Sequence, residues 1–314
     1  MKILVTGGCG YIGTNLTNAL IEKGHKVIVV DLLWFGNYLN SHKNLSIIQA
    51  DIRDIGKIPM DGIDTIIHLA NIANDPTSDL NSKLTWEVNV LASKFLIEKA
   101  IEYGAKQFIY ASSGSVYGIK DEPHVTEDLP LLPISDYNKS KMISEQVLKS
   151  YKDEITLQII RPATVCGYSP RMRLDLSVNM LTMQALTKGR ITVFGGQQTR
   201  PNIHINDMIG VYLHFLTLGA KSPGVYNAGF ENISILEIAH KVVEHVPAEI
   251  ELTKLNDPRS YRQNSDKLFG TGFTKKFSVE DGIKDVIEAY NLGKLKDEDR
   301  YYNIRAMKKL ENIN

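Results

Sequence analysis

The sequence has little of several features that mark common classes of protein. Among 314 residues only Cys9 and Cys166 are cysteines, so neither a disulfide framework nor a cysteine-based metal cluster is available. The 36 lysines and arginines are balanced by 36 aspartates and glutamates, which argues against a protein that binds nucleic acid. No apolar run approaches the roughly 20 residues of a membrane-spanning helix, so we expect no membrane partner.

Signals for secretion and for metal binding are also missing. The first residues, MKILVTGG, are typical of a strand and a turn and lack the apolar segment and cleavage site of a signal peptide. The eight histidines have no metal-ligand spacing, and we expect His68 and His204 to be hydrogen-bonded core residues and no metal to be bound. These features predict a soluble protein of a reducing compartment, with a cytoplasmic location.

Short apolar segments alternate with amphipathic ones along the first half of the chain. The apolar segments are rich in Ile and Val without strict polar alternation, which is typical of strands buried on both faces. Strands are predicted at residues 2–6, 26–31, 45–50, 65–70, 107–112 and 156–162, and helices at 14–23, 83–103 and 136–152. The pattern predicts an α/β fold, a Rossmann-type doubly wound parallel sheet with a smaller α/β substrate-binding lobe.

The alternation weakens after Pro162, and a second lobe is predicted to begin near residue 165. A helix is predicted over residues 175–187 and a short strand over 191–194. Residues 292–314 are highly charged, and we expect them to be solvated or weakly helical.

A glycine-rich segment, TGGCGYIG, lies between the first predicted strand and the first predicted helix. Gly7, Gly10 and Gly13 suit a tight turn, close approach of a pyrophosphate to the backbone amides, and packing of the helix on the strand. The helix N-terminus offers free N–H groups to phosphate oxygens. This context of strand, turn and helix predicts a dinucleotide-binding site.

Acidic residues follow the next two predicted strands. Asp31 ends the second strand, where a carboxylate accepts hydrogen bonds from ribose hydroxyls and repels a 2′-phosphate, so NAD is favoured over NADP. Asp51 and Ile52 follow the third strand. They lie either near the adenine or in an ordinary turn.

A tyrosine and a lysine share one face of a predicted helix. Tyr137 and Lys141 are four residues apart, and a neighbouring ammonium is expected to lower the pKa of a phenol from its usual value of about 10. Tyr290 and Lys294 have the same spacing, but they lie in the charged tail with Gly293 between them, so we assign them no role. Tyr137 instead follows a strand that ends in the hydroxyl-rich segment SSGSVYG, beside the predicted NAD site.

These motifs together resemble one superfamily. TGGCGYIG, Asp31, HLA at residues 68–70, WEVNV, SSGSVYG and YNKSK are similar to the extended short-chain dehydrogenases/reductases, and more narrowly to their nucleotide-sugar epimerase/dehydratase branch. The resemblance implies that Ser113, Tyr137 and Lys141 are catalytic. Tyr137 would exchange the proton of a sugar hydroxyl, Ser113 would hydrogen-bond that oxygen, and Lys141 would hold the nicotinamide ribose.

The resemblance also implies a cofactor site and a division of the chain. Residues 1–165 would form the NAD-binding domain with a returning segment at 203–229, and residues 166–202 and 230–314 would bind substrate. The residues implied to bind NAD are Gly7, Gly10, Tyr11, Ile12, Gly13, Asp31, Asp51, Ile52, Leu69, Ala70, Asn89, Ser112, Tyr137 and Lys141.

The segment SSGSVYG separates reactions within this branch. In members that eliminate water, the corresponding segment resembles TDEVYG, and its Asp–Glu pair acts as acid and base. UDP-glucuronate decarboxylases tend to keep the glutamate. Gly114 and Ser115 occupy those positions here and supply neither group. The resemblance therefore favours a nucleotide-sugar 4-epimerase. A C4 dehydrogenase or keto-sugar reductase would use the same three catalytic residues, and a protein that only binds NAD for sensing or scaffolding is a third hypothesis.

The second lobe carries residues that suit a nucleoside-diphosphate sugar. The segment from Arg200 to Asp207 resembles the branch motif Arg-x-x-x-His-Val-x-Asp, whose arginine contacts the substrate pyrophosphate. Guanidinium groups pair well with phosphate oxygens. Besides Ser113, the implied substrate ligands are Asn179, Arg171, Arg173, Arg200 and Arg259.

Two departures from the branch affect the predicted sugar site. Cys166 stands where relatives usually have Tyr or Phe, which is expected to alter a wall near the sugar. The segment NIANDPTSDLN, residues 71–81, differs from the better-known galactose epimerases and is expected to face the sugar. The resemblance further implies a homodimer.

Overall fold

The computed structural model describes residues 1–254 and 260–310. The strands are β1 (Lys2–Thr6), β2 (Lys26–Asp31), β3 (Leu45–Gln49), β4 (Thr65–His68), β5 (Gln107–Ala111), β6 (Thr156–Pro162), β7 (Thr164–Cys166), β8 (Arg190–Phe194), β9 (Thr199–His204), β10 (Gly224–Ala228), β11 (Glu231–Ser234) and β12 (Glu249–Thr253).

The helices alternate with these strands through most of the chain. They are α1 (Tyr11–Glu22), α2 (Asp75–Ser78), α3 (Ser82–Trp86), α4 (Ala92–Glu102), α5 (Asp136–Lys149), α6 (Ser177–Lys188), α7 (Ile205–Leu218), α8 (Ile235–Val243), α9 (Asp266–Phe269), α10 (Val279–Asn291) and α11 (Asn303–Lys308). A π-helical turn, Glu87–Leu91, joins α3 to α4. Within the described ranges, none of the helices is long and apolar enough to cross a membrane.

Seven strands of the described chain form one parallel sheet. Their order is β10-β6-β5-β4-β1-β2-β3, and each neighbouring pair runs in the same direction. The order reverses between β1 and β4, which opens a crevice at the carboxyl ends of these strands. This arrangement confirms the predicted Rossmann-type α/β fold.

Apolar side chains on both faces of the sheet explain its double covering of helices. Ile3 of β1 packs in a buried cluster with Leu16 of α1 and Phe215 of α7. The next residue, Leu4, points to the opposite face and packs in a second cluster with Leu96 of α4. Because successive strand residues alternate between faces, a run of apolar residues requires helices on both sides.

The chain returns to the sheet after β9. Helix α7 leads to β10, which lies at the sheet edge with Gly224 opposite Gln158 and Ala228 opposite Pro162 of β6. The smaller sheets, β11-β9-β7 and β12-β8, lie in the second half of the chain. The exact division into domains at residues 165, 203 and 230 stays a prediction.

Part of the charged tail packs against the rest of the protein, which the sequence does not predict. Leu295, Tyr301 and Met307 are buried, with 1%, 4% and 3% of their surfaces exposed. The expectation of a solvated segment is wrong for these residues, because apolar side chains spaced between the charged ones pack on the protein. Short helical turns at Asp299–Tyr301 and α11 place them there.

Candidate active site

A cavity of about 650 Å³ opens at the carboxyl ends of the parallel strands. Most residues predicted to bind NAD line it, namely Gly7, Gly10, Tyr11, Ile12, Gly13, Asp31, Asp51, Ile52, Leu69, Ala70, Ser112 and Tyr137. The predicted substrate ligands that line it are Ser113, Arg171, Arg173 and Arg200. Asn89, Lys141 and Asn179 are not among its lining residues. Arg259 lies outside the described residues.

Close backbone packing explains two of the three motif glycines. Gly7 has a φ of +71°, and a Cβ there would lie 2.7 Å from the backbone nitrogen of Ala70. A Cβ on Gly13 would lie 2.2 Å from the carbonyl oxygen of Gly7. Gly10 precedes α1 without a side-chain cap on the first turn of the helix. The first-turn amides are therefore available to an anion in the cavity.

The Asp31 carboxylate is held at the end of β2 by backbone amides. Its Oδ2 accepts a hydrogen bond from the nitrogen of Cys9 at 3.0 Å, and Oδ1 accepts one from Leu33 at 2.8 Å. Burial raises the pKa of Asp31, while these two hydrogen bonds lower it. The tight glycine turn, the uncapped helix and this carboxylate together fit a dinucleotide whose adenosine ribose keeps both hydroxyls, as in NAD.

Asp51 is a turn aspartate that also lines the cavity, and its place near the adenine stays a prediction. Its carboxylate accepts hydrogen bonds from the backbone nitrogen of Arg53 at 2.8 Å and from the guanidinium of the same residue at 2.8 and 3.0 Å. Arg53 also donates to Glu87 at 2.7 Å. Asp51 thus stabilises a turn, and it lines the cavity together with Ile52.

Replacement of Gly13 by Ala should impair cofactor binding. The added methyl group would overlap the Gly7 carbonyl, so the glycine turn must move, at a cost of about 1–3 kcal/mol in the free energy of unfolding. We expect the purified variant to retain much less NAD than the wild type, measured on the released nucleotide. Gly56→Ala is the matched control, because its Cβ would have no neighbour closer than 3.6 Å. Equal NAD retention by the two variants would contradict the prediction.

Hydroxyl groups after β5 meet the start of α5. The Oγ atoms of Ser113 and Ser115 are 2.7 Å apart, and Ser115 donates a hydrogen bond to Oδ1 of Asn138 at 2.5 Å. Ser135 caps α5 by accepting a hydrogen bond from the nitrogen of Asn138 at 3.2 Å. Tyr137 is the second residue of this helix, and it lines the cavity together with Ser113.

The predicted lowering of the pKa of Tyr137 by Lys141 is wrong. Burial raises the pKa of Tyr137 to about 12, although a hydrogen bond with Ser113 and the positive charge of Arg173 lower it. The Lys141 ammonium instead donates to the carbonyl oxygen of Ala111 at 2.7 Å and lies 4.8 Å from the ring centre of Tyr110. Helical spacing brings two residues to one face, but the buried lysine side chain reaches across to β5.

Burial also lowers the pKa of Lys141. Only 1% of its surface is exposed, and burial lowers the pKa of its ammonium to about 7, against the opposing effect of Glu145. An ammonium has three N–H donors. Ala111 and the more distant Tyr110 hydroxyl, at 3.4 Å, account for two of them.

Asn89 lies behind the cavity wall instead of on it. It lies in the π-helical turn, accepts a hydrogen bond from the nitrogen of Ile72 at 2.8 Å and donates to Oγ of Ser140 at 2.9 Å. A π-helical turn is a local distortion that often occurs at functional sites. Asn89 therefore ties the loop after β4 to helix α5, which carries Tyr137.

Asn179 has a structural role, and its predicted contact with a diphosphate stays a prediction. It is fully buried. Its Oδ1 accepts a hydrogen bond from the nitrogen of Gly167 at 3.0 Å, and its Nδ2 donates to the hydroxyl of Tyr11 at 3.1 Å. The amide is used to join the glycine-loop helix to the turn after β7.

The cavity-lining arginines lie in different surroundings. Arg173 forms two hydrogen bonds with Asp175, at 3.0 and 2.9 Å, and Asp175 also accepts one from Asn74 at 3.0 Å. Arg200 reaches the cavity from β9. Arg171 lies against the ring of Phe35, 4.0 Å from its centre. Of residues 71–81, which were expected to face the sugar, those from Asn71 to Asp75 line the cavity and residues 76–81 do not.

Neither cysteine faces the cavity. Cys166 is fully buried, and a Cβ on Gly282 of α10 would lie 2.8 Å from its Sγ. The expectation that it shapes a wall near the sugar is wrong, because its side chain packs in the cluster between α6 and α10. Burial raises the pKa of both thiols, to about 12 for Cys9.

His68 and His204 are hydrogen-bonded side chains, as predicted. His68 contacts Oγ1 of Thr6 at 2.6 Å and Oγ of Ser93 at 2.8 Å, and burial lowers its pKa to about 3, so it is neutral. Nε2 of His204 lies 3.0 Å from Asp285. Within residues 1–254 and 260–310, no three His, Cys, Asp or Glu side chains are grouped as metal ligands would be.

Sequence patterns missed two residues from the end of the chain. Asn303 and Met307 of α11 line the cavity, although the charged tail was not expected to contact it. Their burial is a tertiary contact of a six-residue helix. The local signal for this contact is the spacing of the apolar residues Tyr301 and Met307, and two residues are too few to predict it.

Comparisons with known proteins agree with this site. The model of the NAD dependent epimerase/dehydratase family matches residues 3–229. The UDP-glucose 4-epimerase of Streptococcus mutans serotype c is 30% identical over 300 residues, which cover 85% of this chain and 89% of that protein.

Solved structures of 4-epimerases are also similar to this chain. The UDP-glucuronic acid 4-epimerase from Bacillus cereus, in complex with UDP-glucuronic acid and NAD, is 28% identical with a TM-score of 0.80, covering 93% of this chain and 100% of that chain. The UDP-glucose 4-epimerase from Thermotoga maritima, with UDP-glucose, is 27% identical with a TM-score of 0.81, covering 93% and 99%. The family match spans more than half of the sequence, and this chain therefore belongs to the NAD dependent epimerase/dehydratase family.

Proposed function

We propose that this protein is an NAD-dependent nucleotide-sugar 4-epimerase, which oxidises C4 of a nucleoside-diphosphate sugar transiently and returns the hydride to the opposite face. One observation carries the proposal. Ser113 and Tyr137 line the same cavity as the glycine turn and Asp31, while Gly114 and Ser115 supply no carboxylate for dehydration. The site therefore suits interconversion of an alcohol and a ketone.

Each of the proposed catalytic residues has a separate role in that reaction. Bound NAD supplies the acceptor and donor of hydride. Tyr137 takes the proton of the C4 hydroxyl and gives it back, and Ser113 holds that oxygen by a hydrogen bond. Lys141 anchors the end of β5 through Ala111, and its remaining N–H would hold the nicotinamide ribose. The positive charge of the oxidised cofactor would lower the pKa of Tyr137 from about 12 and favour the phenolate.

Arg173 and Arg200 are the proposed contacts for the substrate diphosphate. Both line the cavity, and guanidinium groups bind phosphate oxygens in a fixed geometry. Asp175 balances Arg173 and holds it in place through two hydrogen bonds. Because the relatives described above bind or act on UDP sugars, UDP is the first nucleotide to test.

The experiment is incubation of purified protein with UDP-, GDP-, CDP- and dTDP-sugars without added cofactor. We expect one of these sugars to be converted to its C4 epimer, with no net change in the absorbance of reduced nicotinamide. Turnover that requires added NAD or NADH would instead support a C4 dehydrogenase or keto-sugar reductase. Tight binding of NAD without conversion of any sugar would instead support the hypothesis that the protein binds NAD only for sensing or scaffolding.

We also propose that the enzyme is a cytoplasmic homodimer. Two observations support the dimer: Leu91 and Phe95 are 49% and 45% exposed, and they lie one helical turn apart where the π-helical turn meets α4. Exposed apolar residues grouped on one helix face are typical of an interface between copies. A molar mass in solution equal to one chain would contradict this.

A further inference from the structure

The last helical turns of the described chain form one wall of the cavity. We call residues 299–310 the C-terminal strap. Asn303 and Met307 of the strap line the cavity and are almost completely buried. The carbonyl oxygen of Tyr301 accepts a hydrogen bond from the nitrogen of Leu174 at 2.8 Å. The strap is thus fastened to the loop that carries Arg171 and Arg173.

Arg171 joins the strap to the Rossmann half of the site. Its Nη2 donates to Oδ1 of Asn303 at 2.5 Å, and its Nη1 donates to the carbonyl oxygen of Met172 at 2.8 Å. Its guanidinium carbon lies 4.0 Å from the ring centre of Phe35, which follows β2. Three segments that are distant in sequence therefore meet around one guanidinium.

The guanidinium is incompletely satisfied. Arg171 is only 2% exposed, and its Nε has no hydrogen-bond partner among the described residues. A buried cation with an unpaired N–H is costly, because both its charge and its donor have lost water. An anion in the cavity would supply the missing partner.

Its position indicates which anion this is. Phe35 and Asp31 are close in sequence at the end of β2, and both line the cavity near the uncapped start of α1. Of the proposed catalytic residues, Ser113 follows β5 and Tyr137 lies in the first turn of α5. Arg173 has its own carboxylate partner, Asp175. Arg171 therefore belongs with the dinucleotide end of the cavity and not with the substrate arginines.

We infer that Arg171 and the C-terminal strap belong to the cofactor site: Arg171 binds the pyrophosphate of NAD, and Asn303 and Met307 close the strap over the nucleotide so that it stays bound between turnovers. This inference rests on the proposed use of NAD. Release of the cofactor then requires loss of the Arg171–Asn303 and Leu174–Tyr301 hydrogen bonds and exposure of Met307. Retention of NAD is what a 4-epimerase needs, because each turnover regenerates it.

The test is the rate at which NAD leaves the purified protein, measured by exchange of bound NAD for labelled NAD. Asn303→Ala should raise this rate about tenfold or more, since a hydrogen bond to a charged group contributes roughly 1.5–3 kcal/mol. Lys308→Ala is the control, because Lys308 is exposed on the same helix, and its release rate should equal that of the wild type. Thermal unfolding of the NAD-free proteins shows whether the Asn303 variant is folded.

A second readout separates the cofactor from the substrate. Arg171→Met should speed NAD release while leaving the Kd of free UDP within about twofold, and bound NAD should slow proteolysis of the strap. Unchanged NAD release in both variants, or weaker UDP binding with unchanged NAD release, would overturn the inference and leave the proposed function in place. A wild-type protein that binds no NAD would instead overturn the proposed function itself.

Discussion

Tyr137→Phe should nearly abolish epimerisation while leaving NAD bound. The variant keeps the ring that lines the cavity and loses only the hydroxyl that hydrogen-bonds Ser113. A positioned acid–base group contributes about 10²–10⁴-fold to a rate, so kcat should fall by that factor with a smaller change in KM. Because no glycine-loop contact involves the hydroxyl, the amount of NAD retained on purification should equal that of the wild type.

The chain supplies a matched control for this experiment. Tyr290 and Lys294 have the same spacing as Tyr137 and Lys141, but Tyr290 lies in α10 and does not line the cavity. Tyr290→Phe should therefore keep kcat within about twofold of the wild type. Normal turnover by Tyr137→Phe, with substrate and NAD bound, would remove the basis of the proposed mechanism and favour a binding role.

Glu145→Gln should cause the largest loss of stability. Glu145 and Arg161 are buried, with side-chain exposures of 0% and 2%, and two hydrogen bonds of 2.9 and 2.6 Å join them. Removal of the carboxylate charge leaves a buried guanidinium without its counterion, at a cost of roughly 3–5 kcal/mol in the free energy of unfolding. Ser112 also donates to Glu145, at 2.5 Å, so the end of β5 should loosen and activity should fall as well.

Urea unfolding monitored by circular dichroism measures this effect. The control is Glu280→Gln, which removes a carboxylate paired with Lys284 at 2.6 Å on the surface, where both side chains are well exposed. A surface pair contributes about 0–1 kcal/mol, because water and salt screen it. A loss for Glu145→Gln as small as that of the control would show that the buried pair adds nothing beyond a surface contact.

Much of the fold was predictable because its signals are local. The six predicted strands match β1 to β6 to within two residues at each end, since dense Ile and Val runs bounded by turns leave few alternatives. The glycine turn and Asp31 were predictable for a similar reason. Gly7 and Gly13 stand where any side chain would collide with backbone, so their positions in the sequence already describe the turn.

Local patterns were less informative about side chains that can reach more than one partner. Helical spacing correctly placed Tyr137 and Lys141 on one helix face, but the ammonium reaches the carbonyl of Ala111 on β5. The sequence also carried no signal that the amide of Asn179 is hydrogen-bonded to Gly167 and Tyr11, and its predicted contact with a diphosphate stays a prediction. In each case the deciding partner comes from another element of the fold.

The sequence by itself determined the parallel sheet, the dinucleotide turn and the choice of hydroxyls over carboxylates after β5, because each depends on residues that are neighbours along the chain. Only the tertiary structure decided that Arg171 lies with Phe35 and Asn303 and that the charged tail lines the cavity. Those contacts join segments more than a hundred residues apart. Their energy comes from burial and charge pairing that exist only once the sheet and its helices have packed.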